Sequence, residues 1–229
     1  MHRGARRLFP LIATTVFAAL FPSCATRTYI ATTRYVIEPV VDVAPSTTTD
    51  LRLGIRAIEP AEPYKQKIKY RTEGLVLGEY ANAEWAENAR DVVTRALRDA
   101  VHKTNAFADV GDAMDMGRPD LVLTGELRRF EEDRTQEPAV VVCELRLDAR
   151  EPVNGQRVWG ATIAVEEPVE AVAVQRSAAS VGGKIALDSR SHLSAVARAM
   201  STALGRLTST AAEKLAESAR NYAEGRSTE

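Results

Sequence analysis

Hydrophobic and polar residues alternate along much of the chain in a pattern that predicts β-strands. In Leu51–Ile58 the apolar side chains fall on one face and the arginines on the other, as in a half-buried strand. Lys65–Arg71 alternates in the same way, with Ile68 and Tyr70 on the inner face. Further extended segments are predicted over Arg34–Pro39, Leu75–Tyr80, Phe107–Val110, Asp120–Leu127, Val140–Leu147 and Arg157–Val165. The Asn-Gly pair before the last segment is a strong hairpin signal, so the last three strands are predicted to form an antiparallel meander.

Two other segments repeat apolar residues at intervals of three and four, which predicts amphipathic helices. The first opens at Asn82 or Ala83, runs to about Thr104 and carries Trp85 in its first turn as a core anchor. The second covers Leu187–Tyr222. These elements predict an α+β fold, in which two main helices pack on a mixed, largely antiparallel sheet.

Three features interrupt this regular pattern. Ala44–Asp50 is rich in Thr, Pro and Ser and is predicted to be a flexible connector. Pro168–Gly183 is rich in Ala, Val and Ser and is predicted to be irregular. Gly205 is expected to be a weak point within the second helix.

The first residues have the pattern of a secretory signal. Met1–Arg7 is basic, Leu8–Phe21 is mostly apolar, and Leu20-Phe21-Pro22-Ser23-Cys24 resembles the lipobox of bacterial lipoproteins. The alternative is a plain secretory signal in which Cys24 is incidental. The apolar run is shorter than the roughly 20 residues that a membrane-spanning helix needs. We therefore predict lipidation of Cys24 and, because Ala25 is not an aspartate, attachment to the periplasmic face of the outer membrane rather than the inner membrane.

This reading divides the chain into four parts. They are a signal peptide at residues 1–23, an acylated N-terminus with a short strand and linker at 24–50, a folded domain at 51–222 and a polar tail at 223–229.

Composition excludes several classes of protein. The 229 residues have a net charge of -1, so no strongly basic surface indicates nucleic acid binding. The two cysteines and three histidines are too few for a zinc module or a disulfide scaffold. If Cys24 carries lipid, Cys143 has no partner for a disulfide, and its position on an apolar strand face predicts a buried, inert thiol.

No motif in the sequence predicts a catalytic or cofactor site. Ser189 and Ser191 lie near His192, but neighbours in a helix start do not give the geometry of a catalytic triad. Gly182-Gly183-Lys184 lacks the glycine and the hydroxyl residue that a phosphate loop requires. Glu131, Glu132 and Asp133 follow a strand and are expected to be solvated. We therefore predict no catalytic residues, no metal and no cofactor.

The basic face of the Lys65–Arg71 strand is the candidate contact surface. Lys65, Lys67, Lys69 and Arg71 are predicted to form one basic edge. We expect them to guard against edge-to-edge aggregation, with contact to a partner or a lipid headgroup as the alternative. The Glu170–Gly183 segment is a second candidate surface.

Several short motifs follow one another in a recognisable order. They are Tyr35-Val36-Ile37, Leu53-Gly54-Ile55-Arg56, Ile68-Lys69-Tyr70-Arg71, Trp85-Ala86-Glu87, Phe107-Ala108-Asp109-Val110, Asp120–Leu127, Val158-Trp159 and Glu166-Glu167-Pro168-Val169. This order resembles that of the ABC-type transport auxiliary lipoprotein family, the PqiC-like group, over residues 34–222. The lipobox and the polar tail after Tyr222 depart from the family pattern.

The resemblance implies a non-enzymatic component of a system that moves lipids or other hydrophobic molecules between the membranes of the Gram-negative envelope. The expected partners are an MCE-domain (mammalian-cell-entry) protein, an ABC permease and an ATPase. It also implies a compact α+β fold. A stand-alone outer-membrane structural or assembly lipoprotein is the alternative function. A periplasmic hydrolase is a third class, which would need His102 or His192 beside a nucleophile.

Overall fold

The computed structural model describes residues 31–170 and 181–226, and for residues 181–189 it describes the backbone only. Its strands are β1 (Thr33–Tyr35), β2 (Thr49–Ile55), β3 (Glu59–Pro60), β4 (Lys67–Thr72), β5 (Val76–Trp85), β6 (Phe107–Asp112), β7 (Leu121–Asp133), β8 (Val140–Arg150) and β9 (Arg157–Pro168). Its helices are α1 (Ala89–Thr104) and α2 (Val181–Arg226), and a short 3₁₀ turn spans Glu73–Leu75.

Strand β7 organises a mixed sheet. Along one side it pairs antiparallel with β8, which pairs antiparallel with β9, so the predicted meander is confirmed. Along its other side it pairs in parallel with β2, β3 and β4 in turn. β6 joins β2 in parallel, β5 joins β4 antiparallel, and β1 joins β5 in parallel. The longest ladders are antiparallel, and the fold is α+β as the sequence predicts.

Both helices pack on each other and on the sheet around one hydrophobic core. The apolar stripe predicted for the second helix is buried along its length, from Leu193 through Met200 and Leu207 to Leu215. Trp85 is buried as predicted and meets Phe130 edge to face, with ring centroids 5.7 Å apart. Among the helices described, none is long and apolar enough to cross a membrane.

The first helix begins later than the sequence pattern indicates. Residues 82–85 belong to the end of β5, and α1 starts at Ala89 after Asn88, whose side chain accepts a hydrogen bond from the Arg90 amide at 3.1 Å. Ala83 and Trp85 are both buried because residues two apart share a strand face. Trp85 also lies four residues before Ala89, an interval that fits the apolar stripe of α1, which is why the prediction was wrong.

The segment over residues 44–50 is not a free connector. Thr49 and Asp50 form the start of β2. The Ser46 amide donates to the Thr104 carbonyl at 2.6 Å, and the Thr48 hydroxyl donates to the Asn105 carbonyl at 2.8 Å. The segment is therefore fixed to the C-terminal end of α1.

The chain just after β1 runs along α2, and Gly205 makes room for it. The amides of Glu38 and Asp42 donate to the hydroxyls of Ser201 and Ser209 at 3.0 and 3.1 Å. A Cβ at Gly205 would collide with the Val40 carbonyl between these two contacts. The helix is continuous through Gly205, so this glycine is a close-approach position rather than the weak point that was expected.

Candidate functional site

Two consecutive glutamates near the end of β7 lie in the interior of the protein. Glu131 is 1% exposed and Glu132 is 0% exposed. The prediction that they follow a strand on a solvated surface was wrong, because β7 continues to Asp133 with β4 beside it. As neighbours in a strand, the two side chains point to opposite faces of the sheet. One face therefore holds Glu132, and the other holds Glu131 together with Asp133, which is 7% exposed.

The Glu131 cluster, on one face, consists of Tyr64, Arg71, Arg129, Glu131 and Asp133. The Tyr64 hydroxyl donates to Glu131 Oε2 at 2.5 Å. Arg71 Nε and Arg129 Nη2 donate to Glu131 Oε1 at 2.7 and 2.8 Å. Arg129 Nη2 also lies 3.0 Å from Asp133 Oδ2. All five residues belong to β4, β7 or the segment that leads into β4.

The Glu132 cluster, on the other face, consists of Tyr70, Tyr80, Glu132, Arg134 and His192. The Tyr80 hydroxyl and Arg134 Nε donate to Glu132 Oε2 at 2.5 and 3.0 Å. His192 Nε2 lies 2.8 Å from Glu132 Oε1, and it is the donor because an ionised carboxylate only accepts. The Arg134 guanidinium stacks 4.3 Å from the centre of the Tyr70 ring. Since His192 belongs to α2, this cluster joins the helix to the sheet.

Both glutamates are held in the ionised form. Burial acts to raise the pKa of Glu131, but hydrogen bonds from Arg71, Tyr64 and Arg129 outweigh it and leave the pKa below its usual range. For Glu132, burial is likewise outweighed by hydrogen bonds from His192 and Tyr80 and by the charge of Arg134. Burial and the neighbouring carboxylate raise the pKa of each tyrosine, so both hydroxyls keep their protons and donate. Such carboxylates are fixed acceptors rather than proton donors.

The four basic residues predicted as a contact surface are placed differently from the expectation. β4 lies between β5 and β7, so it is not an edge strand, and the predicted role as an aggregation guard was wrong. Each charge also has an acidic partner. The pairs are Lys65 with Glu62 at 2.6 Å, Lys67 with Glu84 at 2.9 Å, Lys69 with Glu79 at 2.7 Å, and Arg71 with Glu131 at 2.7 Å.

Arg71 thus belongs to the buried cluster, whereas Lys65 and Lys67 remain accessible to a partner. Their side chains are 58% and 39% exposed. Contact between this strand and a partner stays a prediction.

Two other predicted features fall partly or wholly outside the described residues. Cys24 lies outside them, as do residues 171–180 of the second candidate surface. The end of that surface, from Val181, is part of α2 rather than irregular chain.

The remaining cysteine behaves as predicted. Cys143 is free and buried, and burial raises the pKa of its thiol to about 12. Within the part of the chain that the structure describes, no group of three or more His, Cys, Asp or Glu side chains is arranged to hold a metal ion.

The sequence did contain a signal for the two clusters. Residues two apart share a strand face, so Arg129, Glu131 and Asp133 form a row of mixed charge, and Glu132 and Arg134 form another. Opposite charges on one strand face can pair with each other. Nothing in the sequence indicated that Tyr64, Tyr80 and His192 belong to these clusters, because they lie far from β7 in the chain.

Comparison with known proteins identifies the fold. No family model matches the chain, and no curated protein matches it. Among solved structures, protein XCC0632 from Xanthomonas campestris, a DUF330 protein, is similar with a TM-score of 0.67 and 21% identity, over 82% of this chain and 98% of that one. A second structure, of a protein described only as uncharacterized, gives a TM-score of 0.53 and 10% identity, over 76% of this chain and 99% of that one.

A weaker likeness is to lipoprotein GNA1162 from Neisseria meningitidis, with a TM-score of 0.32 and 10% identity over 61% of this chain and 94% of that one. A TM-score at that level is not evidence of a shared fold. The first two likenesses show that this chain has the fold of the DUF330 protein from X. campestris.

Proposed function

We propose that this chain is a non-enzymatic lipoprotein of the bacterial envelope and an auxiliary component of an ABC/MCE-type system that moves lipids or other hydrophobic molecules between inner and outer membrane. The observation that carries the non-enzymatic part is the construction of the two glutamate clusters. Each buried carboxylate is ionised and already accepts three donors of the protein itself. Groups held in this way fasten strands and helix together instead of acting on a substrate.

Attachment to the membrane is supported by the N-terminal sequence. The basic start, the short apolar run and Ser23-Cys24 fit a signal whose cysteine is acylated. Two or more acyl chains anchor a protein stably. We place the domain on the periplasmic face of the outer membrane, since Ala25 is not an aspartate.

The transport role is supported by the order of sequence motifs over residues 34–222, which resembles the ABC-type transport auxiliary lipoprotein family. Its partners would be the MCE-domain protein, the permease and the ATPase of the same system. The candidate contact is the accessible start of β4 together with the residues just before it. Lys65 and Lys67 are exposed there, and the acids that pair with them are also partly exposed.

The test is crosslinking in intact cells, followed by purification from detergent-solubilised envelope and mass spectrometry. Recovery of an MCE-domain protein with the permease or ATPase supports the proposal. Recovery of outer-membrane assembly components alone would instead support the stand-alone structural lipoprotein. Lys65→Glu with Lys67→Glu should reduce the yield of crosslinked partner, while Lys214→Glu, at an exposed position on α2, should leave it unchanged.

A further inference from the structure

The turn between β4 and β5 carries two adjacent hydrophobic residues that are exposed to solvent. Leu75 is 86% exposed and Val76 is 58% exposed, and they are adjacent in the chain. Thr72 and Val76 are the last pair of the ladder, so these side chains sit at the tip of the β4–β5 hairpin. Exposing both to water is unfavourable unless something covers them.

The backbone at this tip is also strained. Leu75 has φ 64, a left-handed conformation that is uncommon for residues other than glycine. A glycine or asparagine would adopt it at a lower cost. Strain of this kind is concentrated at functional positions, and here it accompanies an exposed leucine.

The topology gives the direction from which the chain enters the domain. β1 runs parallel to β5, with Thr33 opposite Ala83, so the chain enters the domain running away from the Val76 end of β5. From Ala83 back to Val76 is at most about 23 Å at roughly 3.3 Å per residue, because β5 bulges between Glu79 and Glu84. The nine residues from Cys24 to Thr33 reach at most about 32 Å. A lipid anchor at Cys24 can therefore reach the level of the tip.

We propose that the Leu75–Val76 tip inserts into the surface of the phospholipid bilayer that holds the acyl chains of Cys24. This inference rests on the acylation of Cys24 in the proposed function. Two side chains are too small a patch for a specific protein interface, which takes about 800 Å² from each partner, whereas a bilayer needs no complementary shape.

The surroundings of the tip fit a lipid interface. Tyr70 and Tyr80 lie behind it on β4 and β5, with their ring centroids 5.1 Å apart. Arg134 stacks on Tyr70, and its amide donates to the Arg71 carbonyl at 2.9 Å, which places the end of β7 beside the hairpin. Tyrosine and arginine suit the depth of the headgroups. Glu73 is the acidic residue of the turn, and it is exposed.

The experiment uses the full acylated protein in vesicles of phosphatidylethanolamine and phosphatidylglycerol. Val76→Cys is labelled with an environment-sensitive NBD dye, which is selective because Cys143 is buried and Cys24 carries lipid. Val153→Cys is the matched control, since Val153 is 86% exposed in the turn between β8 and β9, at the opposite end of the sheet. We expect a severalfold rise in NBD emission with a blue shift at position 76, quenched by a lipid-borne quencher, and no change at position 153.

The outcomes separate this inference from the proposed function. Protein that floats with the vesicles while the dye at position 76 stays water-exposed overturns the tip insertion and leaves the anchor intact. Protein that does not float overturns both. A dye shift that depends on protein concentration without vesicles means that a second copy covers the tip, and a shift seen only in native envelope means a protein partner, so either result overturns the inference.

A second variant controls for a local change of folding at the tip. Leu75→Asp in the Val76→Cys protein should abolish the NBD response, whereas Val153→Asp should leave it unchanged. An undiminished response in the Leu75→Asp protein would also overturn the inference.

Discussion

The two glutamate clusters on opposite faces of β7 are made of the same kinds of groups but connect different parts of the molecule. In each, a buried carboxylate accepts from one tyrosine and from arginine. The Glu131 cluster lies within the sheet and its approach segment, and Asp133 gives Arg129 a second acceptor. The Glu132 cluster takes its third donor, His192, from α2.

The comparison shows that neighbouring residues of one strand can have separate structural roles. Loss of Glu131 would loosen the packing of β4 on β7, while part of the arginine charge would still be balanced by Asp133. Loss of Glu132 would leave Arg134 without an acid in its cluster and would also remove the hydrogen bond that ties His192 of α2 to the sheet. We therefore expect the second cluster to matter more for the stability of the whole domain.

The largest expected effect is that of Glu132→Ala. Removing one partner of a buried charged group typically costs about 3–5 kcal/mol, because the other partners stay behind without compensation. Urea unfolding of a chain that begins at residue 24 and carries Cys24→Ser would measure this loss. Glu131→Ala should cost less, and Glu126→Ala, at an exposed ion pair with Arg128, should stay within about 0.5 kcal/mol. An equal loss for the two buried glutamates would contradict the comparison.

The next effect concerns the tyrosine hydroxyls. Tyr80→Phe and Tyr64→Phe each remove a hydrogen bond to a charged acceptor, which is worth about 1.5–3 kcal/mol. Tyr80→Phe also removes the hydrogen bond that the Tyr80 hydroxyl accepts from Arg134 Nη2. If the clusters are separate, the double variant should show the sum of the two single losses within about 0.5 kcal/mol. A double-mutant cycle in urea measures the coupling, and a larger coupling would mean that the two faces act as one unit.

These clusters also mark the limit of what the sequence predicted. The meander of β7, β8 and β9 follows from local alternation and from the turn at Asn154-Gly155, where Gly155 has φ 73. The parallel partners of β7 could not be predicted, because β2, β3 and β4 reach it from distant positions with no local turn signal. The burial of Glu131 and Glu132 depends on that pairing, so a charged strand end was predicted to be solvated.

Lowering the pH is expected to have a smaller effect on the stability of the domain. The pKa values of Glu131 and Glu132 are lowered in the folded state, so the stability they contribute is present above the unfolded value of about 4.3 and is lost as the pH falls below it. The urea midpoint should therefore fall with decreasing pH below that value. Glu132→Gln should flatten part of this dependence, and an unchanged slope would show that Glu132 does not titrate with folding.

The smallest expected effect separates the helix tie from the rest of the Glu132 cluster. His192→Gln shortens the reach to Glu132 but leaves Arg134 and Tyr80 in place. Because the His192 side chain is 37% exposed and water can replace part of its hydrogen bond, the global loss should be only about 1 kcal/mol. Because His192 lies in the N-terminal third of α2, local opening should rise there before the whole domain unfolds. Hydrogen exchange of the α2 amides around residue 192 should therefore speed up while the β8 amides stay protected.

His102→Gln, at an exposed position on α1, is the matched control and should change neither region. If exchange in β8 sped up as much as in α2, the histidine would be part of the sheet's own stability, and the contrast between the two faces of β7 would not hold.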